Sequence, residues 1–220
     1  MKRLLSFIWP QTTKVNSEYN GMLEVTFVNG KKLLDSKNAN YSFGSLQKIL
    51  ETGISKVDLT AVNSILLLGL GGGSIITSLN KKFSYTKKIV AVELDPKIIE
   101  IAQQEFSISS SDNLKIVNQD AYHFVNVCTD TFDLIIVDLF IDNRVPSQFY
   151  SVTFCSNLSR LLTKKSSLIF NLGMDEHDAK KKNNVLQYFK NTKSFTVSEY
   201  EKVTGTNSLL IAHKIQNFLI

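Results

Sequence analysis

Residues 65–74 read "ILLLGLGGGS". An apolar run that ends in a cluster of glycines is typical of a buried strand that turns tightly into a helix. At such a turn the backbone can approach a ligand closely, because glycine has no side chain, and the amides of the following helix face that ligand. We therefore expect Gly69, Gly71 and Gly73 to bind the nucleotide part of a cofactor.

Downstream of this turn the chain alternates between strand-like and helical segments. Five runs are strand-like: "SILLLGL", "KKIVAVEL", "LKIVNQ", "FDLIIVDLF" and "SSLIFNL". Near-continuous apolar strands with helices between them indicate a parallel sheet that is covered on both faces. At the end, "SFTVSEYEKV" and "NSLLIAHK" flank the turn "TGTN" and predict an antiparallel hairpin. We expect an α/β fold with a doubly wound, mostly parallel seven-stranded sheet.

Residues 1–40 predict a small separate β element. The segment "MLEVTFV" alternates apolar and polar residues, Asn29 and Gly30 are a hairpin turn signal, and "KKLLD" returns. The exposed strand edges of such a hairpin would allow a homodimer. A helical pattern then begins near residue 41 and predicts a helix that stops at Gly53. We expect residues 41–220 to form the cofactor-binding domain.

Acidic residues follow two of the later strands. Glu93 lies 24 residues after Gly69, where a carboxylate can accept hydrogen bonds from both ribose hydroxyls of a bound nucleoside. Asp120 and Ala121 follow the third strand and are expected to contact the adenine, although Asp120 is also suited to cap the next helix. NAD is an alternative cofactor that such a turn can bind, but the NAD-binding motif has glycine or alanine at the position of Ser74.

Composition excludes several classes of protein. The 220 residues are 43% hydrophobic and 20% charged, as in a globular protein with one main core. The net charge of +5 comes from scattered lysines, and the run 180–182 is interpreted as a solvated helix face, so nucleic-acid binding is not expected. No segment approaches the roughly 18 apolar residues of a membrane span, so we expect a cytoplasmic protein. The cysteines and histidines lack metal-ligand spacing.

Four segments carry a family resemblance: "ILLLGLGGG", "VAVELDP", "NQDAYHFV" and the long stretch that begins "FDLIIVDLFIDNRVPSQFY". They resemble the class I S-adenosylmethionine-dependent transferases and, among these, the spermidine synthase-like family. The resemblance implies S-adenosylmethionine or decarboxylated S-adenosylmethionine as the cofactor. It also implies a catalytic role for Asp138, and contacts to donor or acceptor from Tyr41, Asp142 and Tyr150.

Two departures from the family pattern bear on the reaction. Aminopropyltransferases of this family carry an aspartate in the glycine loop, where it holds the donor amine, and Gly72 stands at that position here. The second acid after Asp138 is displaced by one position, to Asp142. A loop without a carboxylate favours intact S-adenosylmethionine, so we expect methyl transfer to a small-molecule acceptor. Aminopropyl transfer to a diamine and nucleoside binding without turnover are the alternatives.

Overall fold

The computed structural model describes residues 6–7, 9–36, 45–141, 144–174 and 178–215. Tyr41 and Asp142 lie outside the described residues, so their expected contacts to donor or acceptor stay predictions. The expected boundary between the N-terminal element and the cofactor-binding domain, after residue 40, also lies outside the described residues, between 36 and 45, and stays a prediction.

Three antiparallel strands form the N-terminal sheet: β1 (Gln11–Ser17), β2 (Gly21–Val28) and β3 (Lys31–Asp35). The strands β2 and β3 are the expected hairpin, and both residues of its turn, Asn29 and Gly30, have positive φ. The sequence pattern did not predict β1, because "QTTKVNS" contains one large apolar residue and its side chains are mostly exposed. Strand β1 is held by its backbone pairing with β2.

The described part of the main domain contains seven strands: β4 (Ser64–Leu68), β5 (Lys88–Glu93), β6 (Leu114–Asn118), β7 (Phe132–Val137), β8 (Leu162–Met174), β9 (Phe195–Val203) and β10 (Asn207–Lys214). Its helices are α1 (Ser45–Ile54), α2 (Ser74–Lys81), α3 (Pro96–Phe106), α4 (Ala121–Val127), α5 (Val152–Leu161) and α6 (Ala179–Asn191). The strand order is β6-β5-β4-β7-β8-β10-β9, and β10 runs antiparallel to both of its neighbours. The predicted doubly wound seven-stranded sheet is therefore confirmed.

The central strand β4 contributes to a core on each face of the sheet. Leu66 and Leu68 pack in one apolar cluster with residues of α4, α5 and α6. Ile65 and Leu67 pack in a second cluster with residues of α1 and α2. Because both faces are covered, the open part of a parallel sheet is the edge where the strands end, and ligands bind there.

Gly53 lies inside α1 and does not stop it, so that detail of the sequence interpretation is wrong. The helix continues to Ile54. A Cβ atom at Gly53 would lie 2.7 Å from Cγ2 of Ile169 in β8. Glycine is required here because the helix packs closely on the sheet, which a sequence pattern alone does not reveal.

The lysine run 180–182 is also only partly a solvated helix face. Lys180 and Lys181 are exposed, whereas Lys182 is buried. The Nζ atom of Lys182 donates hydrogen bonds to the carbonyl oxygens of Gly173 (3.1 Å) and Met174 (2.6 Å). This buried lysine therefore stabilises the end of β8, because its ammonium group donates hydrogen bonds to backbone oxygens there.

Asp95 joins the N-terminal sheet to helix α3 of the main domain. It is the N-cap of α3, where its side chain accepts a hydrogen bond from the backbone nitrogen of Lys97 at 2.9 Å. Its Oδ2 atom also accepts hydrogen bonds from Ser17 Oγ and, at 2.7 Å, from Asn20 Nδ2. The N-terminal sheet is thus anchored at a buried residue that lies two positions after Glu93.

Both cysteines are free thiols. Burial raises the pKa of Cys155 to about 12, so it is an inert core residue. Within the described ranges, none of the helices is long and apolar enough to cross a membrane. The same ranges contain no cluster of histidine, cysteine and acidic side chains arranged to hold a metal ion.

Candidate functional site

The glycine loop lies where β4 ends, between the ends of its two neighbouring strands. Gly69, Gly71 and Gly73 have positive φ angles of 95°, 52° and 75°. The backbone nitrogen of Gly69 donates to the carbonyl oxygen of Val92 in β5 at 2.9 Å. On the other side, a Cβ atom at Gly69 would lie 2.1 Å from the carbonyl oxygen of Asp138, which follows β7. The backbone at Gly69 is therefore confined between β5 and β7.

Glu93 holds the glycine loop in place. Its Oε2 atom accepts hydrogen bonds from the backbone nitrogens of Leu70 (3.0 Å) and Gly71 (3.3 Å), and Oε1 accepts one from Asp95 (3.0 Å). Burial raises the pKa of Glu93, and these amide hydrogen bonds act in the opposite direction because they favour the carboxylate. The expected ribose contact stays a prediction, but the structure adds a loop-fixing role that the sequence did not reveal.

Asp120 begins α4 and caps it. Its Oδ1 atom accepts a hydrogen bond from the backbone nitrogen of His123 at 2.8 Å, so the capping role is present. Its Oδ2 atom lies 3.5 Å from Nε2 of Gln148, a residue of the 3-10 turn Ser147–Tyr150. Ala121 is the buried first residue of the helix. Contacts of Asp120 and Ala121 to an adenine stay predictions, and they are compatible with a capped helix because a carboxylate has several acceptor positions.

Asp138 follows β7 at the same edge of the sheet. Its backbone nitrogen donates to the carbonyl oxygen of Leu68 at 2.8 Å, and its Oδ1 atom accepts a hydrogen bond from Nδ2 of Asn171 at 2.8 Å. Burial raises the pKa of Asp138 to about 6, although the hydrogen bond from Asn171 lowers it. A carboxyl group with a pKa near neutrality, next to the glycine loop, is suited to proton transfer.

Tyr150 is buried and supports the end of β8. Its hydroxyl group donates a hydrogen bond to the carbonyl oxygen of Leu172 at 2.9 Å. A Cβ atom at Gly173 would lie 3.7 Å from the same hydroxyl, so the ring stands beside the last residues of the strand. The expected contact of Tyr150 to an acceptor stays a prediction, and its hydroxyl already has a protein partner.

The fold thus brings the predicted residues of three strand ends to one edge of the sheet. Glu93 and Asp138 both contact the glycine loop, one through its carboxylate and the other through its backbone. Sequence reasoning missed Asn207, whose amide reaches Asn171 from the terminal hairpin at 3.0 Å. Its position at the start of β10 gave no local signal, because the two residues are 36 positions apart.

A family model, the spermine/spermidine synthase domain, matches residues 50–205 of the chain. The eEF1A lysine and N-terminal methyltransferase homolog of Drosophila melanogaster is 24% identical over 170 residues, which cover 69% of this chain and 24% of the relative. Polyamine aminopropyltransferase 2 of Aquifex aeolicus is 32% identical over 117 residues, which cover 49% of this chain and 23% of the relative. The chain therefore spans about a quarter of the length of these relatives.

Among solved structures, human methyltransferase-like protein 13 in complex with SAH superposes with a TM-score of 0.64 and 24% sequence identity. The superposition covers 80% of this chain and 85% of that chain, so the two share a fold. The family match extends over more than half of the sequence and includes the glycine loop, Glu93, Asp120 and Asp138. The chain therefore belongs to the spermine/spermidine synthase domain family.

Proposed function

We propose that this chain is an S-adenosylmethionine-dependent methyltransferase of spermidine synthase-like form that acts on a small molecule. The observation that carries the proposal is the glycine loop. It is fixed by Glu93 on one side and borders Asp138 on the other, and it has Gly72 where an aminopropyltransferase has an aspartate. The chain's relatives include proteins named as methyltransferases and as aminopropyltransferases. The form of the donor that the chain binds, intact or decarboxylated S-adenosylmethionine, therefore distinguishes the two reactions.

The residues at this edge fit an S-adenosyl donor. Three glycines with positive φ add no side chains to the turn, and the N-terminus of α2 follows it directly. Glu93 has acceptor capacity left, because each carboxylate oxygen has two lone pairs and Oε1 accepts one hydrogen bond in the protein. When bound, S-adenosylmethionine would supply an electrophilic methyl group on a sulfonium centre.

Asp138 is proposed to receive a proton from the acceptor. Its pKa of about 6 means that the carboxylate form predominates at pH 7 and above, so it can attract an amine and accept its proton. Alignment supplies most of the remaining rate enhancement in methyl transfer, and the fixed loop and the fixed Asp138 backbone provide it. The proposed acceptor is therefore a small molecule with a basic nitrogen.

We expect intact S-adenosylmethionine to stabilise the protein more than decarboxylated S-adenosylmethionine does. A ligand at 100 times its dissociation constant adds about 2.7 kcal/mol of stability. For a chain of this length that raises the Tm by about 5 to 10 °C. Differential scanning fluorimetry with each donor at the same concentration measures the difference. Greater stabilisation by the decarboxylated donor would reject methyl transfer in favour of aminopropyl transfer.

Gly72→Asp is the variant that tests the reason for this preference. Gly72 is buried, and it is not among the loop glycines with positive φ. The added carboxylate should pair with the donor amine and repel the carboxylate of intact S-adenosylmethionine. The variant should therefore prefer the decarboxylated donor. Gly21→Asp, in a turn with nothing within 4 Å of an added Cβ atom, adds the same charge as a control.

Asp138→Asn should increase stability above pH 6 while it removes the proposed base. A folded-state pKa of about 6, against an ordinary value of 3.8, means that the folded protein binds the proton more tightly than the unfolded chain. Wild-type stability therefore falls as the pH rises from about 4 to 6, and it stays lower above that range. Because Asp138 is half-buried as a residue, we expect the variant to gain about 1.5 kcal/mol at pH 8, or roughly 3 to 6 °C in Tm.

Thermal unfolding at pH 4, 6 and 8 measures this gain, which should be small at pH 4. Asparagine keeps the Oδ1 atom that accepts the hydrogen bond from Asn171, so the Asn171 amide keeps its partner. Asp130→Asn is the control, because Asp130 is exposed and its substitution should not change the Tm. A gain that is equal at all three pH values would show that Asp138 is not the titrating group.

The acceptor assay separates the remaining alternatives. Radiolabelled methyl transfer from S-adenosylmethionine is measured with a panel of amines, diamines and other small metabolites, and separately with purified eEF1A, because the Drosophila relative is named for that protein. Transfer to eEF1A alone would reject the small-molecule acceptor. Donor binding without transfer to any acceptor would favour a nucleoside-binding protein without turnover.

A further inference from the structure

A buried chain of amide groups leads from Asp138 to the terminal hairpin. Nδ2 of Asn171 donates to Oδ1 of Asp138 at 2.8 Å, and Oδ1 of Asn171 accepts from the Gly173 nitrogen at 3.2 Å and from Nδ2 of Asn207 at 3.0 Å. Asn171 is 0% exposed and Asn207 is 2% exposed. Buried amides are costly to leave unpaired, so this arrangement specifies one geometry.

Asn207 and Gly173 together determine which atom of Asn171 faces Asp138. Both present N–H groups to Asn171, so only its oxygen can face them. If the Asn171 amide were rotated by half a turn, its NH2 group would face two donors and its oxygen would face the carboxylate. Gly173 and Asn207 therefore orient the Asn171 amide so that its nitrogen donates to Asp138.

An irregularity in the sheet brings these partners together. Asn207 in β10 pairs with Met174 in β8, whereas Leu209 pairs with Asn171. The strand β8 thus advances three residues while β10 advances two, and the extra residue of β8 lies at a bulge that includes Gly173, with φ of 80°. Bulges redirect side chains and are frequent beside active sites. Here the bulge directs a backbone N–H and the Asn207 amide to the same oxygen.

We propose that Asn171 and Asn207 are positioning residues that hold Oδ1 of Asp138 and leave Oδ2 directed to the acceptor. The part that concerns the acceptor rests on the proposed function. Within the part of the chain that the structure describes, Oδ2 of Asp138 accepts no hydrogen bond from the protein. In the same part, no charged side chain alters the pKa of Asp138, which depends on burial and on the Asn171 amide.

Asn207→Asp tests this positioning role. It exchanges one NH2 group for oxygen at a residue that reaches the Asp138 carboxylate only through Asn171. The new carboxylate would face Oδ1 of Asn171. A half-turn of the Asn171 amide gives this carboxylate a donor and breaks only the hydrogen bond from the Gly173 nitrogen, so the nitrogen of Asn171 should turn toward residue 207 and its oxygen toward Asp138. The Asp138 carboxylate then loses its donor and faces an oxygen. A 13C NMR titration of aspartate carboxyl groups, assigned with Asp138→Asn, should show the midpoint of Asp138 about one pH unit higher than in the wild type.

Two further variants make the result specific. Asn171→Ala removes the donor altogether and should raise the midpoint of Asp138 at least as far, which covers the case in which Asn207→Asp does not fold. Asn183→Asp makes the same chemical change on the exposed side of α6 and should leave the midpoint unchanged. In all folded variants the dissociation constant of S-adenosylmethionine should stay within about threefold of the wild-type value, because the glycine loop and Glu93 are intact.

Turnover separates this inference from the proposed function. With an active acceptor, Asn207→Asp should lower kcat about tenfold and leave KM for the donor unchanged, because it misdirects the proposed base and not the donor site. An unchanged Asp138 midpoint in both Asn207→Asp and Asn171→Ala would overturn the positioning role. A raised midpoint in a protein whose wild type transfers no methyl group would instead reject the proposed function and support the positioning of Asp138.

Discussion

Gly69→Ala should lower the free energy of unfolding by about 4 kcal/mol or more and abolish donor binding. The added Cβ atom would lie 2.1 Å from the carbonyl oxygen of Asp138, which is a backbone atom and cannot rotate away. The φ angle of 95° adds strain, since side-chain-bearing residues rarely adopt it. Relief of the clash requires the ends of β4 and β7 to separate, so the substitution changes the shape of the site itself.

Gly21→Ala is the matched control for this effect. Gly21 also has a positive φ, of 65°, but an added Cβ atom there meets nothing within 4 Å. It should therefore cost only about 1 kcal/mol, the price of the left-handed backbone conformation. Urea unfolding of both variants, with donor binding followed by calorimetry, provides the comparison. Equal losses of stability in the two variants would contradict the close approach of the loop to Asp138.

Glu93→Gln should weaken S-adenosylmethionine binding about 100-fold, equivalent to about 2.7 kcal/mol. Glu93 accepts hydrogen bonds on both oxygens, from Leu70 and Gly71 on one and from Asp95 on the other. Glutamine has one acceptor oxygen, so its NH2 group must face at least one backbone N–H. The loop then loses its fixed conformation, and the expected ribose contact loses a charged acceptor.

Glu100→Gln is the control for Glu93→Gln. The Glu100 side chain is 46% exposed and pairs with Lys97 of α3 at 2.6 Å, away from the glycine loop, so the same chemical change should not affect donor binding. Isothermal titration calorimetry measures both dissociation constants. Because burial raises the pKa of Glu93, wild-type affinity should fall as the pH is lowered through that pKa, whereas the affinity of Glu93→Gln should lack this component. A change of less than threefold for Glu93→Gln would contradict the role of Glu93.

Much of the fold was predictable because its signals are local. Each parallel strand is a short apolar run, and each run is followed by a turn residue or a cap, so the order of elements could be predicted from the chain. Parallel strands all end at the same edge of the sheet. The positions of Glu93, Asp120 and Asp138 at or just after the ends of three strands therefore predicted that they lie at one edge, as the structure places them.

The missed features depend on contacts between distant parts of the chain. Gly53 is required by the side chain of Ile169, and Asp95 joins α3 to Ser17 and Asn20 of the N-terminal sheet. Nothing in the sequence around Gly53 distinguishes a helix stop from a close packing contact, because both require a residue without a side chain. Only the distance to the neighbouring strand decides between them.

The sheet, the glycine loop and the acids at its edge could be predicted from the chain, since periodicity and turn chemistry are properties of neighbouring residues. The hydrogen bonds that hold those acids became visible only in the folded protein. Glu93 binds the loop amides, and Asp138 is oriented by Asn171 and, through it, by Asn207 in the last strand. A buried polar group must find its partner wherever packing brings one, and strand register, here with a bulge, sets that choice.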